Sequence, residues 1–170
     1  MLKSRIWCQI LRKMYVEAKR TFKKDKSEIL EAIRVPGNLE NYHPFCIENK
    51  IEKWPGKGSV DYVKYLNKLK YRREFIKWDE SGYVLDIGVK RKVARVKWLV
   101  EGNSKASSLK ITIEPKLPYK NEIINWLLWH IYIKHRLQSY IDNVIRGFSQ
   151  YIQTKTRVNK NKYGKHPWYS

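Results

Sequence analysis

Residues 14–22 alternate Met14, Val16, Ala18 and Phe22 with Tyr15, Glu17, Lys19 and Thr21, the period of two that marks a strand with one buried face. Asp25 then stands three residues before Glu28, a capping-box spacing, and Ile29, Leu30 and Ile33 follow at helical intervals. A short helix is therefore expected to end near Arg34. Pro36 and Gly37 stop it, Asn38 is placed to cap a second brief turn through Tyr42, and Pro44 stops that one. From Ile47 almost to Pro115 the period is again two, broken by turn residues at 55–59, around Asn67, at 80–82, near Arg91 and at 102–107. The pattern predicts six more strands, at about 47–54, 60–66, 69–79, 83–90, 93–101 and 108–115. Ala94, Val96, Trp98 and Val100 alternate with Arg95 and Lys97, and Leu109, Ile111 and Ile113 with Lys110, Thr112 and Glu114. One apolar face and one wet face imply an antiparallel sheet.

After Pro118 the period changes to 3.6 and holds to about Gln153, a helix of roughly 34 residues and ~50 Å that has to cross the sheet. With Ile123 at zero on the helical wheel, Leu127, Leu137, Ile141, Val144, Ile145, Phe148 and Ile152 all fall within about 60° of it. The first half differs. Ile124, Trp126, Leu128, Trp129, Tyr132 and Ile133 make it apolar around its whole circumference, so it is expected to touch something on more than one side.

Length and composition fit one globular domain: 170 residues, 42% hydrophobic and 14% aromatic, with enough chain to bury a core unaided by disulfide or metal. Cys8 and Cys46 are the only cysteines, too few for a disulfide framework, which favours a reducing compartment. The apolar stretch after Lys3 and Arg5 is too short for a signal-peptide core. The longest apolar run, 123–133, is likewise too short for a membrane span, and a cytoplasmic protein is expected. The charge is unusual: 36 Lys and Arg against 16 Asp and Glu, a formal +20. It is concentrated in a basic arm at 1–13 and the strand that follows, in a hairpin at 90–97, and in a basic aromatic tail at 154–170. Such clusters attract polyanions of any kind, nucleic acid or anionic lipid.

A strand, two short helices, six strands and a long final helix is the order of the helix-grip fold. The resemblance extends to residues: His43-Pro44-Phe45-Cys46, Trp54-Pro55-Gly56-Lys57-Gly58-Ser59 with Asp61 and Tyr65, Arg73 and Phe75 with Trp78, and Gly82-Tyr83 with Leu85, Ile87 and Gly88. It continues through Val96, Trp98, Ser108-Leu109 and Ile111-Thr112 to the ending Val158, Asn161, Tyr163-Gly164, His166 and Trp168-Tyr169-Ser170. Together these resemble a bacterial branch of the SRPBCC superfamily, which holds START lipid-transfer domains and polyketide cyclase/dehydrase-like proteins. The likeness covers about residues 14–170. It implies an α+β domain in which a seven-stranded curved antiparallel sheet wraps around the long C-terminal helix, with a hydrophobic ligand cavity between them. Asn67 stands where Gly is expected in a turn, a substitution that its tolerance of left-handed conformations allows. The net charge is the main departure from the group.

The candidate chemistry is sparse. The 55–59 segment lacks the glycine spacing of a phosphate-binding loop, because Ile51 lies five residues before Gly56 and Gly58 follows Lys57, so it reads as a hairpin turn. His130 and His135 point ~140° apart on a helix, and His43 and Cys46 lack two further ligands, so no metal and no cofactor are expected. His130 and Lys134 are i, i+4 partners in the middle of the stripe that should face the sheet. Arg73 shares a strand face with Leu69, Tyr71 and Phe75, whereas Asp86 has the opposite parity to Leu85 and Ile87. A buried charge requires an acidic side chain, water or a ligand group beside it. Tyr71, Arg73, His130 and Lys134 are thus expected to anchor the polar end of an apolar ligand. The plainer alternative has Lys134 snorkelling to solvent and a bulge turning Arg73 outward. The rest of the cavity wall is expected from Phe75, Leu85 and Ile87, from Val96 and Trp98, from Ile111 and Ile113, and from Trp126 and Trp129 on the helix.

Binding or carriage of a hydrophobic small molecule is the function this implies. An enzyme of cyclase or dehydratase type would need a general acid or base in the cavity, for which His130 is the obvious residue. Trp126, Trp129 and Tyr132 are compatible with core, cavity mouth or a weak contact with an anionic membrane. A basic sheet face with Arg72, Arg95, Lys97 and Lys110 offers non-specific attraction to nucleic acid, but the rings alternate onto the other face and no recognition motif is present. The tail carries Tyr163, Trp168 and Tyr169 and is expected to dock back onto the sheet edge.

Overall fold

In the computed structural model, which describes residues 14–170, the alternating segments form strands β1 (Val16–Phe22), β2 (Cys46–Lys53), β3 (Val60–Tyr65), β4 (Lys70–Asp79), β5 (Gly82–Gly88), β6 (Lys92–Gly102) and β7 (Ser107–Pro115). The basic arm at 1–13, with Cys8, lies outside the described residues. The strands make one sheet in the order β1-β7-β6-β5-β4-β3-β2, every neighbouring pair antiparallel. Register carries the apolar parity straight across it. Val16, Ile113, Val96, Leu85 and Phe75 stand opposite one another in a row, and Ala18, Ile111, Trp98, Tyr83 and Trp78 in the next. The row Pro115, Ala94, Ile87, Arg73, Asp61 lies at the end from which the chain leaves β7 for the last helix.

Helix α1 (Lys26–Arg34) starts where Asp25 accepts a hydrogen bond from the Ser27 amide at 2.6 Å, while Glu28 turns to Lys24 at 3.1 Å and does not close the expected box. Helix α2 (Leu39–Tyr42) has Asn38 at its start, but Asn38 makes no capping bond. Its amide donates to the Ala32 carbonyl at 2.6 Å instead, tying the two helices together. In the β3–β4 turn the positive φ falls on Lys68, at 68°, and not on Asn67. Asn67 accepts from the Leu69 amide and donates to the Trp168 carbonyl at 2.7 Å, so its side chain pins the turn to the tail.

The long helix is not uniform. Asn121 caps α3 (Glu122–Leu128), accepting from the Ile123 and Ile124 amides; a π-helical turn follows at Trp129–Ile133, and α4 (Lys134–Thr154) continues to the C-cap at Lys155. Leu137, Ile141, Val144, Ile145, Phe148 and Ile152 are buried as the wheel requires, whereas Ile123 and Leu127 face solvent. The π turn accounts for the break: one residue more than an α turn rotates everything before it by roughly 100° relative to α4. Trp129 thereby comes onto the face of Leu137 and is buried. The tail docks, but against the α2–β2 junction and α4 rather than the sheet edge, where free carbonyls receive it. The Val158 amide donates to Asn41, the Asn161 amide to Pro44, and the His166 ring contacts the Arg136 carbonyl at 3.0 Å.

Candidate functional site

Between the concave face of the sheet and α4 lies a void of about 40 Å³. Leu85, Ile87, Val96, Trp98, Ile111 and Ile113 line it from the strands, with Ile141 and Val144 from α4. Those strand residues and Arg73 are the part of the expected wall that the structure brings together. Phe75 is buried one step away, its ring 5.0 Å from Tyr83 and 5.1 Å from Trp54, and Tyr71 is half-buried with its ring 5.7 Å from Tyr65. Neither lines the void.

Arg73 points inward, with no bulge to turn it away, and its partner is acidic. Asp61, the residue directly opposite on β3, is wholly buried and takes the Arg73 Nε hydrogen at 2.7 Å and a second bond from Nη2. Asn49 Nδ2 donates to the other side of the same carboxylate at 3.1 Å. Burial works against the Arg73 charge, but the Asp61 carboxylate more than offsets it and raises the Arg73 pKa above its ordinary value. The guanidinium and carboxylate neutralise each other, as a buried pair has to.

Beside this pair sits a second polar group, which periodicity did not single out. His43 Nε2 lies 2.9 Å from Tyr140 Oη, and Tyr140 Oη lies 3.0 Å from Tyr65 Oη. His43 Nδ1 accepts the Phe45 amide hydrogen, so the ring proton sits on Nε2 and is given to Tyr140. Burial pushes the His43 pKa down to about 3, with Lys160 and Arg73 acting in the same direction, and the ring is neutral. Burial likewise lifts both tyrosine hydroxyls well out of their usual range and the Cys46 thiol up to about 12. All three aromatic residues line the void. Their sequence signal was present in the family-like segment beginning at His43 and in Tyr140, one residue before Ile141 on the buried stripe.

The helix residues expected in the cavity are elsewhere. His130 and Lys134 are exposed. His130 lies against the ring of Trp126, 4.6 Å between centroids, on the outside of the π turn. The rotation that brings Trp129 inward carries His130 off the inner face; Lys134 lies in α4 in phase with Ile141 and is nonetheless exposed, as the snorkelling alternative has it. Trp126 is half-buried and Trp129 fully buried, and neither lines the void. No interior acid or base is therefore supplied by His130, and the interior His43 titrates far below the pH where a general base works well.

A wider hollow of about 370 Å³ opens on the outer face of the sheet. It is a polar groove, with Lys77 paired to Asp79 and Lys97 to Glu114 along it. On the same face Arg72 pairs with Glu74 and Arg95 with Asp86. Three of the basic residues that would attract nucleic acid, Arg72, Arg95 and Lys97, are thus neutralised locally.

No family model and no curated protein matches the sequence. Solved structures do match in shape. TTHA0849 from Thermus thermophilus is 13% identical, with a TM-score of 0.63 over 83% of this chain and 98% of that one. A START superfamily protein from Mycobacterium smegmatis is 9% identical, with a TM-score of 0.58 over 84% and 99%. DynU16, from the dynemicin biosynthetic locus, is 13% identical at a TM-score of 0.63; it matches 87% of this chain, which spans about half (51%) of DynU16. At these identities the likeness is one of fold. The chain has the helix-grip fold that the START superfamily protein also has.

Proposed function

We propose that the protein binds and carries a hydrophobic small molecule between its sheet and α4. The observation that carries this reading is the character of the interior: an apolar wall from four strands and the helix, with polar groups gathered at one end, where Asp61 engages Arg73. That is the make-up of a small-molecule site, mostly apolar with a few fixed polar groups. Its present volume of about 40 Å³ holds little more than a water, and ligand sites span roughly 300–1,000 Å³, so the void is the closed form of the site. The part that moves is α3 with its π turn. It lies at the sheet end where β7 gives way to the last helix, and π turns inside α-helices are frequently found at functional sites.

The same segment supplies the docking face for exchange. Ile123, Ile124, Leu127, Ile131 and Tyr132 are exposed, Ile131 to 74% and Ile123 to 67%, and fall on one arc of about 120°. Lys116, Lys120, Lys134 and Arg136 flank them, against Glu122 alone. Apolar insertion joined to basic attraction is the two-part signal for an anionic bilayer.

Native mass spectrometry of protein purified from cells at high salt, followed by solvent extraction, tests the carrier reading. A discrete hydrophobic adduct is expected. A clean unliganded mass, both as purified and after incubation with the cell's own lipid extract, overturns it.

A further inference from the structure

The ring cluster at the polar end of the void contains one hydrogen too many. His43, neutral and with its proton on Nε2, brings one donor; Tyr140 and Tyr65 bring one hydroxyl hydrogen each. These three donors share two contacts, His43 to Tyr140 and Tyr140 to Tyr65. Whichever way the Tyr140–Tyr65 bond runs, one O–H is left without an acceptor. Among the described residues no other side chain or backbone oxygen is within hydrogen-bonding distance of either hydroxyl. The groups packed around them are rings, Tyr71 and Tyr169 at 5.7 and 4.5 Å from Tyr65, which offer weak acceptor faces at best. Tyr65 is 2% exposed, so bulk solvent does not reach it, and it lines the void, so its acceptor has to come from whatever fills that space. A buried donor without an acceptor is a cost that native proteins seldom leave standing.

The charge beside it is already balanced. Asp61 holds Arg73 and His43 is neutral, so the cation that lines this end of the void is already engaged. A carboxylate brought here would have to compete with Asp61 for that guanidinium, whereas a neutral oxygen would meet a donor that wants it.

We propose that the Tyr65–Tyr140 pair receives a neutral acceptor oxygen, the carbonyl of a ketone or ester on an otherwise apolar molecule, and discriminates against fatty-acid carboxylates. This rests on the interior-site reading above. The test uses three matched probes at pH 8, 2-undecanone, undecane and undecanoic acid, each displacing the uncharged dye N-phenyl-1-naphthylamine. The ketone is expected to displace the dye at concentrations about tenfold below those of the acid. The bound ketone's infrared carbonyl stretch is expected below its frequency in hexane. The donor count adds a pattern that a general polarity effect does not produce. Tyr65→Phe alone still leaves a spare O–H, now on Tyr140, and Tyr65→Phe/Tyr140→Phe leaves a spare N–H on His43, so both keep a downshift; the Tyr65→Phe/Tyr140→Phe/His43→Leu triple variant loses it. Circular dichroism confirms that the variants are folded. Equal or tighter binding of the acid, or a downshift unchanged in the triple variant, overturns the assignment. If neither dye nor any probe binds, the interior-site reading itself fails and takes the assignment with it.

Discussion

The two halves of the last helix both carry large apolar side chains and meet opposite fates. In α4 the stripe from Leu137 to Ile152 is sealed against the sheet, with Phe148 wholly buried and its ring edge-on to Phe22 and Tyr42 at 5.8 and 5.0 Å. In α3 and the π turn one inward ring, Trp129, is buried while five large apolar side chains remain in solvent. Composition alone would bury the first half more deeply than the second; phase reverses that order. One extra residue in a single turn moves the apolar stripe of α3 off the core and replaces it with Trp129. A stretch of helix that is apolar all round has thus been divided into one anchoring residue and one free face.

The largest effects should come from breaking the sealed half. Phe148→Ala is expected to cost about 3–5 kcal/mol of unfolding free energy in urea titrations. Gly147→Val should cost about 3 kcal/mol, because any Cβ there would meet the Tyr42 carbonyl oxygen at 2.1 Å. At the junction, Trp129→Ala should cost about 3 kcal/mol. Deleting His130 should cost nearly as much, because restoring a regular α turn rotates Trp129 away from the face of Leu137. A deletion without effect on stability or on the near-ultraviolet dichroism of the tryptophans would dissolve the contrast between the halves.

The contrast also explains what was legible in the sequence. Strands β1 to β7 were readable because inward residues keep one parity along most of each strand, the β4 bulge between Phe75 and Lys77 being the main break, and α4 because its period is regular. Strand parity put Arg73 inward for the same reason, against the alternative of a bulge turning it out, and of the partners it would then need, an acid, water or a ligand group, the structure has the acid. Asp61 was not named, because pairing across strands depends on register, which periodicity does not give. His130 was misplaced by a wheel drawn through the π turn, which no residue in 129–133 announces; Lys134 is in phase with the α4 stripe and reaches solvent as a long charged side chain near a helix start can. The Gly147 approach had a signal, a glycine in mid-helix, that only a crossing backbone explains. The His43–Tyr140–Tyr65 chain joins residues nearly a hundred positions apart, and nothing local marks it.

A smaller effect distinguishes the interior polar end, which α4 reaches through Tyr140. The folded state holds His43 neutral with a pKa of about 3, against 6.5 for the free side chain. The unfolded chain therefore takes up a proton first as pH falls. The stabilisation is complete above pH 6.5 and is lost progressively toward pH 3. Between pH 6.5 and about 5, above the range of ordinary carboxylates, the wild-type melting temperature should fall, and His43→Leu should flatten that slope. An identical slope in the variant would mean that His43 gains its proton without unfolding, and that the polar end opens more readily than the apolar wall.

The smallest effect on stability should accompany the largest effect on surface behaviour. The triple variant Ile123→Ser/Leu127→Ser/Ile131→Ser removes three exposed side chains that touch no core, so its unfolding free energy should change by less than about 0.5 kcal/mol. Co-sedimentation with vesicles containing anionic lipid should drop at least tenfold in the same protein. Wild-type binding should weaken with salt and be near absent on neutral vesicles, because Lys116, Lys120, Lys134 and Arg136 contribute the attraction. A loss of 2 kcal/mol or more would mean that the face is covered by the protein itself. Unchanged stability and unchanged vesicle binding together would remove the membrane from the account and leave the exposed isoleucines to a protein partner. The α3 face is informative because it separates these outcomes: a side chain that contributes nothing to folding is free to contribute to contact.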